Sequence, residues 1–294
     1  MVLGSALAFG TYGVWARMMG GGFGLFSQAW IRSLLILVLL VPIMIATKTS
    51  PRVARKDWAA LAIFCAFAVC SQVPIYYAFN HAPIGTVQLI FYSTFVITAY
   101  LVGKLYLNEK ITKVKLLAML LSFAGLALVF GVSFEQFAVL ALILAVINGV
   151  ASGGEVASSK RLSTTYSSLN LSFWEWFVTL ATHLPIALLL HEHQSLPAAN
   201  RAWLGMILFV VASLVAFWLV IEGFRHVDAS IGGLIGLMEI IFGVVFGAIF
   251  FHEVLHWSVY IGGVLILVSA MLPDLVNIIK HIRTKTAVEP IRLG

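Results

Sequence analysis

Ionisable side chains are scarce in this sequence: Lys, Arg, Asp and Glu make up 10% of its 294 residues, against 61% apolar ones. A soluble globular chain carries about 25% charged and about 45 to 50% apolar residues, so the composition excludes a surface that water would keep dispersed. Cysteine is nearly absent. Cys65 and Cys70 lie five apart in one apolar stretch, where a helix turns them to different faces, and they carry no information on redox compartment. No basic residue precedes the first apolar stretch, and no small-residue cleavage site interrupts it before Arg17 and Gly20-Gly21-Gly22, so it is expected to stay as a helix and not to act as a signal peptide. No basic stripe is interleaved with base-stacking aromatics, which argues against a nucleic-acid partner despite the net charge of +6. The alternating ten-residue segments of a spanning barrel are missing too; runs such as Leu34-Leu35-Ile36-Leu37-Val38-Leu39-Leu40 are apolar on every face.

What is there instead is a series of apolar stretches near 20 residues, each matched to the roughly 30 Å hydrocarbon thickness that a helix must cross. Ten spans are expected, at 2–19, 26–46, 58–80, 84–106, 114–132, 135–157, 168–190, 203–224, 229–250 and 257–276. The fold class is therefore an all-α membrane protein of ten transmembrane helices. Basic residues divide between its two faces. Alternate connections and the tail hold fifteen of them, including Lys48, Arg52, Arg55, Lys56, Lys104, Lys110, Lys113, Lys115, Lys160 and Arg161, whereas the other connections hold Arg17 and Arg201. By the positive-inside rule both termini are expected in the cytoplasm, in a multi-pass protein of the plasma (inner) membrane.

The chain also repeats itself. Shifted by 145 residues, Trp58 falls on Trp203 and His81 on His226; shifted by 143, Pro42 falls on Pro185 and Arg17 on Lys160. The loops Leu107-Asn108-Glu109-Lys110-Ile111 and Phe251-His252-Glu253-Val254-Leu255 coincide at 144. Five spans per half is an odd number, so the second half enters the membrane from the opposite face, and the repeats are inverted. Expected units are residues 1–133, residues 134–278 and a basic cytoplasmic tail, 279–294. Inverted repeats of this kind suit a carrier, because two similar units exchanging conformations open a central site to either side in turn.

These residues resemble a known family. The loops Leu-Asn-Glu-Lys-Ile-Thr at 107–112 and Phe-His-Glu-Val-Leu-His at 251–256 look like the glycine-glutamate-arginine-leucine-threonine loop of the drug/metabolite transporter superfamily, EamA-type branch. Ala29-Trp30-Ile31-Arg32 resembles its arginine-bearing second helix, and Leu237-Met238-Glu239 its leucine-x-glutamate-proline segment, with Ile240 in the proline's place and Phe95 at the equivalent position of the first half. The resemblance covers about residues 1–276 and implies a ten-helix fold, a central cavity and metabolite efflux.

An ionisable side chain near the bilayer centre costs about 2.5 to 3.5 kcal/mol on insertion scales, so each one present marks a candidate site. Arg32 and Glu175 are repeat mates at offset 143, each roughly 10 Å deep at 1.5 Å per residue; inversion sets Arg32 toward the outer face and Glu175 toward the cytoplasm, lining opposite halves of one pathway. Glu239 lies nearest the midplane and is the candidate for proton coupling or for a substrate amine, whereas Glu155 and Glu222 lie closer to the cytoplasmic ends. Aromatics cluster at possible cavity positions, Tyr12, Trp15, Tyr76, Tyr77, Tyr92, Trp174 and Trp176, of which Tyr12, Trp15, Tyr77, Tyr92 and Trp174 are taken as binding residues, their apolar faces and polar tips suiting an amphipathic or aromatic metabolite. Gly10-Thr11-Tyr12-Gly13 and Pro74 are expected to kink or loosen helices 1 and 3.

His252-Glu253-Val254-Leu255-His256 matches the H-E-x-x-H zinc-protease pattern. It lies in a short connection, however, and its repeat mate Asn108-Glu109-Lys110-Ile111-Thr112 has neither histidine. The shared glutamate is what the repeat preserves, so no metal, cofactor or catalytic residue is expected. The sequence thus reads as a secondary transporter exporting a small organic metabolite, an amino acid or an amphipathic or aromatic compound, with that molecule and the lipid bilayer as partners and a monomeric or dimeric state. An intramembrane zinc metalloprotease and a channel or scaffold are the competing classes.

Overall fold

The computed structural model describes the chain except for Glu109, residues 134–137, Arg225, residues 227–234, residue 236 and residues 289–294. Among the described residues the architecture is all helical, 83% helix with no strand. Hydrocarbon offers no hydrogen-bond partner, so long apolar runs satisfy their backbone groups internally and become helices. Six of them are long and apolar enough to cross a membrane one by one: Leu25–Ala46, Arg55–His81, Ile84–Leu107, Lys113–Gly131, Val139–Ser163 and Trp257–Ile279.

In chain order the elements are α1 (Val2–Gly10), α2 (Tyr12–Gly20), α3 (Leu25–Ala46), α4 (Trp58–His81), α5 (Ile84–Leu107), α6 (Lys113–Ser133), α7 (Val139–Ser163), α8 (Ser168–Leu189), α9 (Arg201–Phe224), α10 (Met238–Phe251) and α11 (Trp257–Val288). They realise two inverted five-helix repeats, with the first expected span broken into α1 and α2 at Thr11. The break has local causes. The Thr11 hydroxyl donates to the Ala8 carbonyl at 2.6 Å, and the Thr11 amide turns to the same carbonyl at 3.2 Å. On either side, a side chain at Gly10 would strike Phe242 of α10 and one at Gly13 would strike Ile84 of α5. Pro74, by contrast, leaves α4 continuous. Most of the ninth expected span before Leu237 lies outside the described residues, and α10 is a 14-residue helix with Glu239 in its first turn.

The backbone repeats as the sequence does. Among the described residues, four other than glycine adopt a positive φ, Lys48, Asn108, His191 and His252. They form two pairs, Lys48 with His191 and Asn108 with His252, 143 and 144 residues apart. Each pair ends equivalent helices of the two halves, and such a left-handed residue closes a helix by satisfying its last carbonyls.

Packing follows the same symmetry. α7 of the second half lies against α4 and α5 of the first, and α1 and α2 of the first lie against α9 and α10 of the second. These two groups, α4-α5-α7 and α1/α2-α9-α10, face each other, while α3 pairs with α8 and α6 with α11 at the flanks. Glycines make the close approaches possible: a side chain at Gly149 of α7 would strike Thr94 and the Phe91 carbonyl of α5, and one at Gly153 the Phe95 carbonyl. We expect Gly149→Leu to destabilise the α5–α7 contact by the roughly 1 to 3 kcal/mol of an overpacked core, lowering the thermal unfolding midpoint in detergent. Gly131→Leu, where nothing lies within 4 Å, should leave the midpoint unchanged.

Candidate functional site

Between the two helix groups lies a cavity of about 380 Å³, with α3 and α8 completing its wall. Arg32 of α3 is a cation of its lining, with hydrogen-bond partners that are neutral. One terminal nitrogen donates to Tyr76 Oη at 3.1 Å and Gln72 Oε1 at 3.4 Å, and the other to Ser213 Oγ at 3.0 Å. Three rings stack about the guanidinium: Phe209 with its centroid at 4.0 Å, Trp176 at 4.9 Å and Tyr12 at 5.5 Å. Cation–π contacts contribute about 0.5 to 2 kcal/mol each when desolvated, and hydrogen bonds to a charge about 1.5 to 3. Together they are large enough to offset the cost of holding an arginine at this depth, so Arg32 is retained without a carboxylate. It ties α3 to α4, α8 and α9. Its Nε atom stays buried with no hydrogen-bond partner.

Three carboxylates border the same cavity, Glu155 of α7, Glu175 of α8 and Glu239 of α10. Glu155 and Glu175 are within electrostatic reach of each other and of Arg32, yet among the described residues no ion pair within 4.0 Å joins any of the three to a cation. The Tyr92 hydroxyl sits beside the Glu239 carboxylate. Neutral polar groups continue the lining on α4, α5 and α7. Asn148 donates to the Ser71 carbonyl at 2.6 Å, while Gln88, buried against Gly243, keeps its Oε1 without a partner. Much of the rest of the wall is aromatic, with Phe9, Phe79, Phe91, Phe95, Trp176 and Phe209.

Of the residues expected from sequence, Tyr12, Arg32, Tyr92, Glu175 and Glu239 border this cavity. Arg32 and Glu175 do so together, not along separate halves of a path. Trp15, Tyr77 and Trp174 lie elsewhere. The Trp15 indole donates back to Thr11 Oγ1 at 2.7 Å, Tyr77 stacks on His81 with ring centroids 3.9 Å apart, and the Trp174 indole reaches the Pro51 carbonyl at 2.8 Å. Trp176 takes the place expected for Trp174: two residues along a helix turn the side chain by about 200°. Glu155, read from sequence as a residue near the cytoplasmic end, belongs to the cavity. Gln72, Gln88 and Asn148 had a usable signal, since an amide inside an apolar span needs a partner or a purpose.

The H-E-x-x-H segment is not helical. His252 has φ 53° and ends α10, and residues 252–256 carry no helix, so the two imidazoles do not share a helical face. Glu253 is occupied by Arg17 at 2.6 Å and by the Ile84 amide at 2.9 Å. Among the described residues no group of three His, Cys, Asp or Glu side chains is placed to hold a metal.

Comparison with known proteins adds three findings. The model of the EamA-like transporter family matches residues 1–131 and 139–272. The pseudopaline exporter CntI of Pseudomonas aeruginosa is 27% identical over 200 residues, covering 67% of this chain and 68% of that protein, and its counterpart from a second strain gives the same figures. One solved crystal structure superposes with a TM-score of 0.65 at 16% identity, over 94% of this chain and 95% of that one, a likeness of fold.

Arg32→Lys tests the site's construction. An ammonium is one compact charge that cannot span Tyr76 and Ser213 together or stack as a guanidinium does. The variant is expected to lose about 2 kcal/mol of stability, the size of one charged hydrogen bond, read as a lower thermal midpoint. Trp174→Phe, remote from the cavity, should shift the midpoint far less.

Proposed function

The chain belongs to the EamA-like transporter family, and we propose that it is a secondary carrier exporting a small organic metabolite by alternating access. Family and relative both support transport over catalysis. The direction, export, is taken from the relative, whose name assigns it the export of pseudopaline. The chain is a multi-pass membrane protein, and we place it in the inner membrane with its basic face and both termini in the cytoplasm, on the charge asymmetry of its connections.

The observation that carries the substrate reading is the imbalance of charge in the cavity. Arg32 is already engaged by hydroxyls, an amide and rings, while among the described residues no cation forms an ion pair within 4.0 Å with Glu155, Glu175 or Glu239. A cargo with an ammonium group supplies what the carboxylates lack, and its apolar or aromatic body meets Phe91, Phe95, Trp176 and Phe209. An amino acid or another amphipathic amine fits this description. A carboxylate on the cargo would find the unpartnered Arg32 Nε and the Tyr12 hydroxyl, which also lacks a partner. Glu239, in the first turn of α10, is the proposed proton-coupling residue.

Counterflow in proteoliposomes with a panel of amino acids, aromatic amines and amine-free acids tests the reading. Saturable exchange of amine-bearing compounds is expected; flux at channel rates without saturation, or preference for amine-free acids, would contradict it. Glu239→Gln keeps the shape and removes the charge. Its exchange rate should fall about tenfold or more, the equivalent of one charged hydrogen bond, with loss of pH dependence. If rate and pH profile both stay as in the parent, Glu239 is not the coupling site.

A further inference from the structure

We infer that Arg17 and Glu253 form a clasp that closes the cavity on the face opposite the basic one, and that this clasp must open for cargo to leave there. The inference rests on the carrier reading. Its basis is the way the pair joins the two helix groups flanking the cavity. Arg17 ends α2 and Glu253 follows α10, so both belong to the α1/α2-α9-α10 group. They meet at 2.6 Å, with side chains 18% and 7% exposed. Each also holds the other group. Arg17 Nε donates to the Phe79 carbonyl and its terminal nitrogen to the Ala82 carbonyl, both at 2.6 Å, at the end of α4. Glu253 Oε1 accepts the Ile84 amide at 2.9 Å, at the start of α5.

The α4–α5 turn is therefore gripped from its carbonyl side by a cation and from its amide side by an anion. The grip is nearly dry: Phe251 lies under the guanidinium with its centroid at 4.6 Å, and Gly247 is packed on Glu253. Charge-assisted bonds in a low-dielectric setting are the strong ones. They are made to backbone groups at the rims of two helices that must part if the cavity is to open to this side. The neighbouring contacts are of another kind, small residues against methyl groups, such as Gly85 against Leu255 and Val244; these separate without stranding a charge. Opening to this face thus includes a polar step, release of the α4–α5 turn by Arg17 and Glu253. The repeat places Lys160 and Glu109 at the corresponding positions of the basic face, offsets 143 and 144, Glu109 lying outside the described residues.

The test reads access and needs no identified cargo. With Cys65 and Cys70 replaced by alanine, Ser152→Cys puts a single thiol on the cavity wall, and a membrane-impermeant cationic methanethiosulfonate is applied from the face opposite the basic one. Arg17→Gln is expected to raise the modification rate about tenfold, because losing even one charged hydrogen bond shifts a closed–open equilibrium by at least that factor. Glu253→Gln should raise it as well. Arg17→Lys, which keeps the charge but not the fork, should fall between parent and Arg17→Gln. Arg201→Gln, an exposed cation of the same face, should change nothing. Folding is checked by the thermal midpoint, and if Arg17→Gln does not fold, Glu253→Gln decides. A folded clasp variant whose thiol reacts at the parent's rate overturns the inference. Because the readout is access alone, that result leaves the carrier reading to be judged separately by counterflow.

Discussion

An arginine fixed inside an apolar bundle constrains everything around it. Arg32 needs donors' partners and polarisable faces at a depth where water does not supply them, and they come from Tyr76 and Gln72 of α4, Trp176 of α8, and Phe209 and Ser213 of α9. Four helices from both halves are thereby held around one charge. These hydrogen-bonding partners are neutral, and among the described residues none of the three cavity carboxylates forms an ion pair within 4.0 Å with a cation. The chemistry left for cargo follows from how the arginine is stabilised, not from the count of charges alone.

The rest of the molecule keeps this arrangement and lets it move. Glycines bring α7 close against α4 and α5, and α1 against α10. Between the two groups the contacts are of two sorts, apolar ones and polar ones, the latter at Arg32 between Tyr76 and Ser213, at Tyr92 beside Glu239, and in the grip of Arg17 and Glu253 on the α4–α5 turn. A bistable structure needs contacts that are either made or broken, and the second sort has that property.

Much of the architecture was legible in the sequence because the membrane imposes it. Span length and the 143-to-145 offset are one-dimensional signals, and the backbone repeats the offset at Lys48 and His191, Asn108 and His252. Ionisable residues inside apolar spans were legible too, so Arg32, Glu175 and Glu239 stood out, and all three line the cavity. Azimuth was not. A helix apolar on all sides gives no moment to say which of Trp174 and Trp176 faces inward, and Glu155 looked peripheral because the cavity's extent along the bilayer normal depends on helices packed from the other half. The zinc-like motif shows the reverse error, a spacing that has meaning on a helix but falls at a left-handed helix end at His252. Glu253, the residue the two loops share, proved to be the one with tertiary work, bound to Arg17 and Ile84.

The central claim is that the two helix groups part and close around this cavity. It is tested most directly by pulsed electron–electron resonance between spin labels at His81, at the end of α4, and Arg201, at the start of α9, two exposed positions on the same face in different groups. In a background without native cysteines, reconstituted in lipid, the account predicts two distance populations whose ratio shifts when an exchanged metabolite is added. One fixed distance, the same with and without that metabolite, would contradict it.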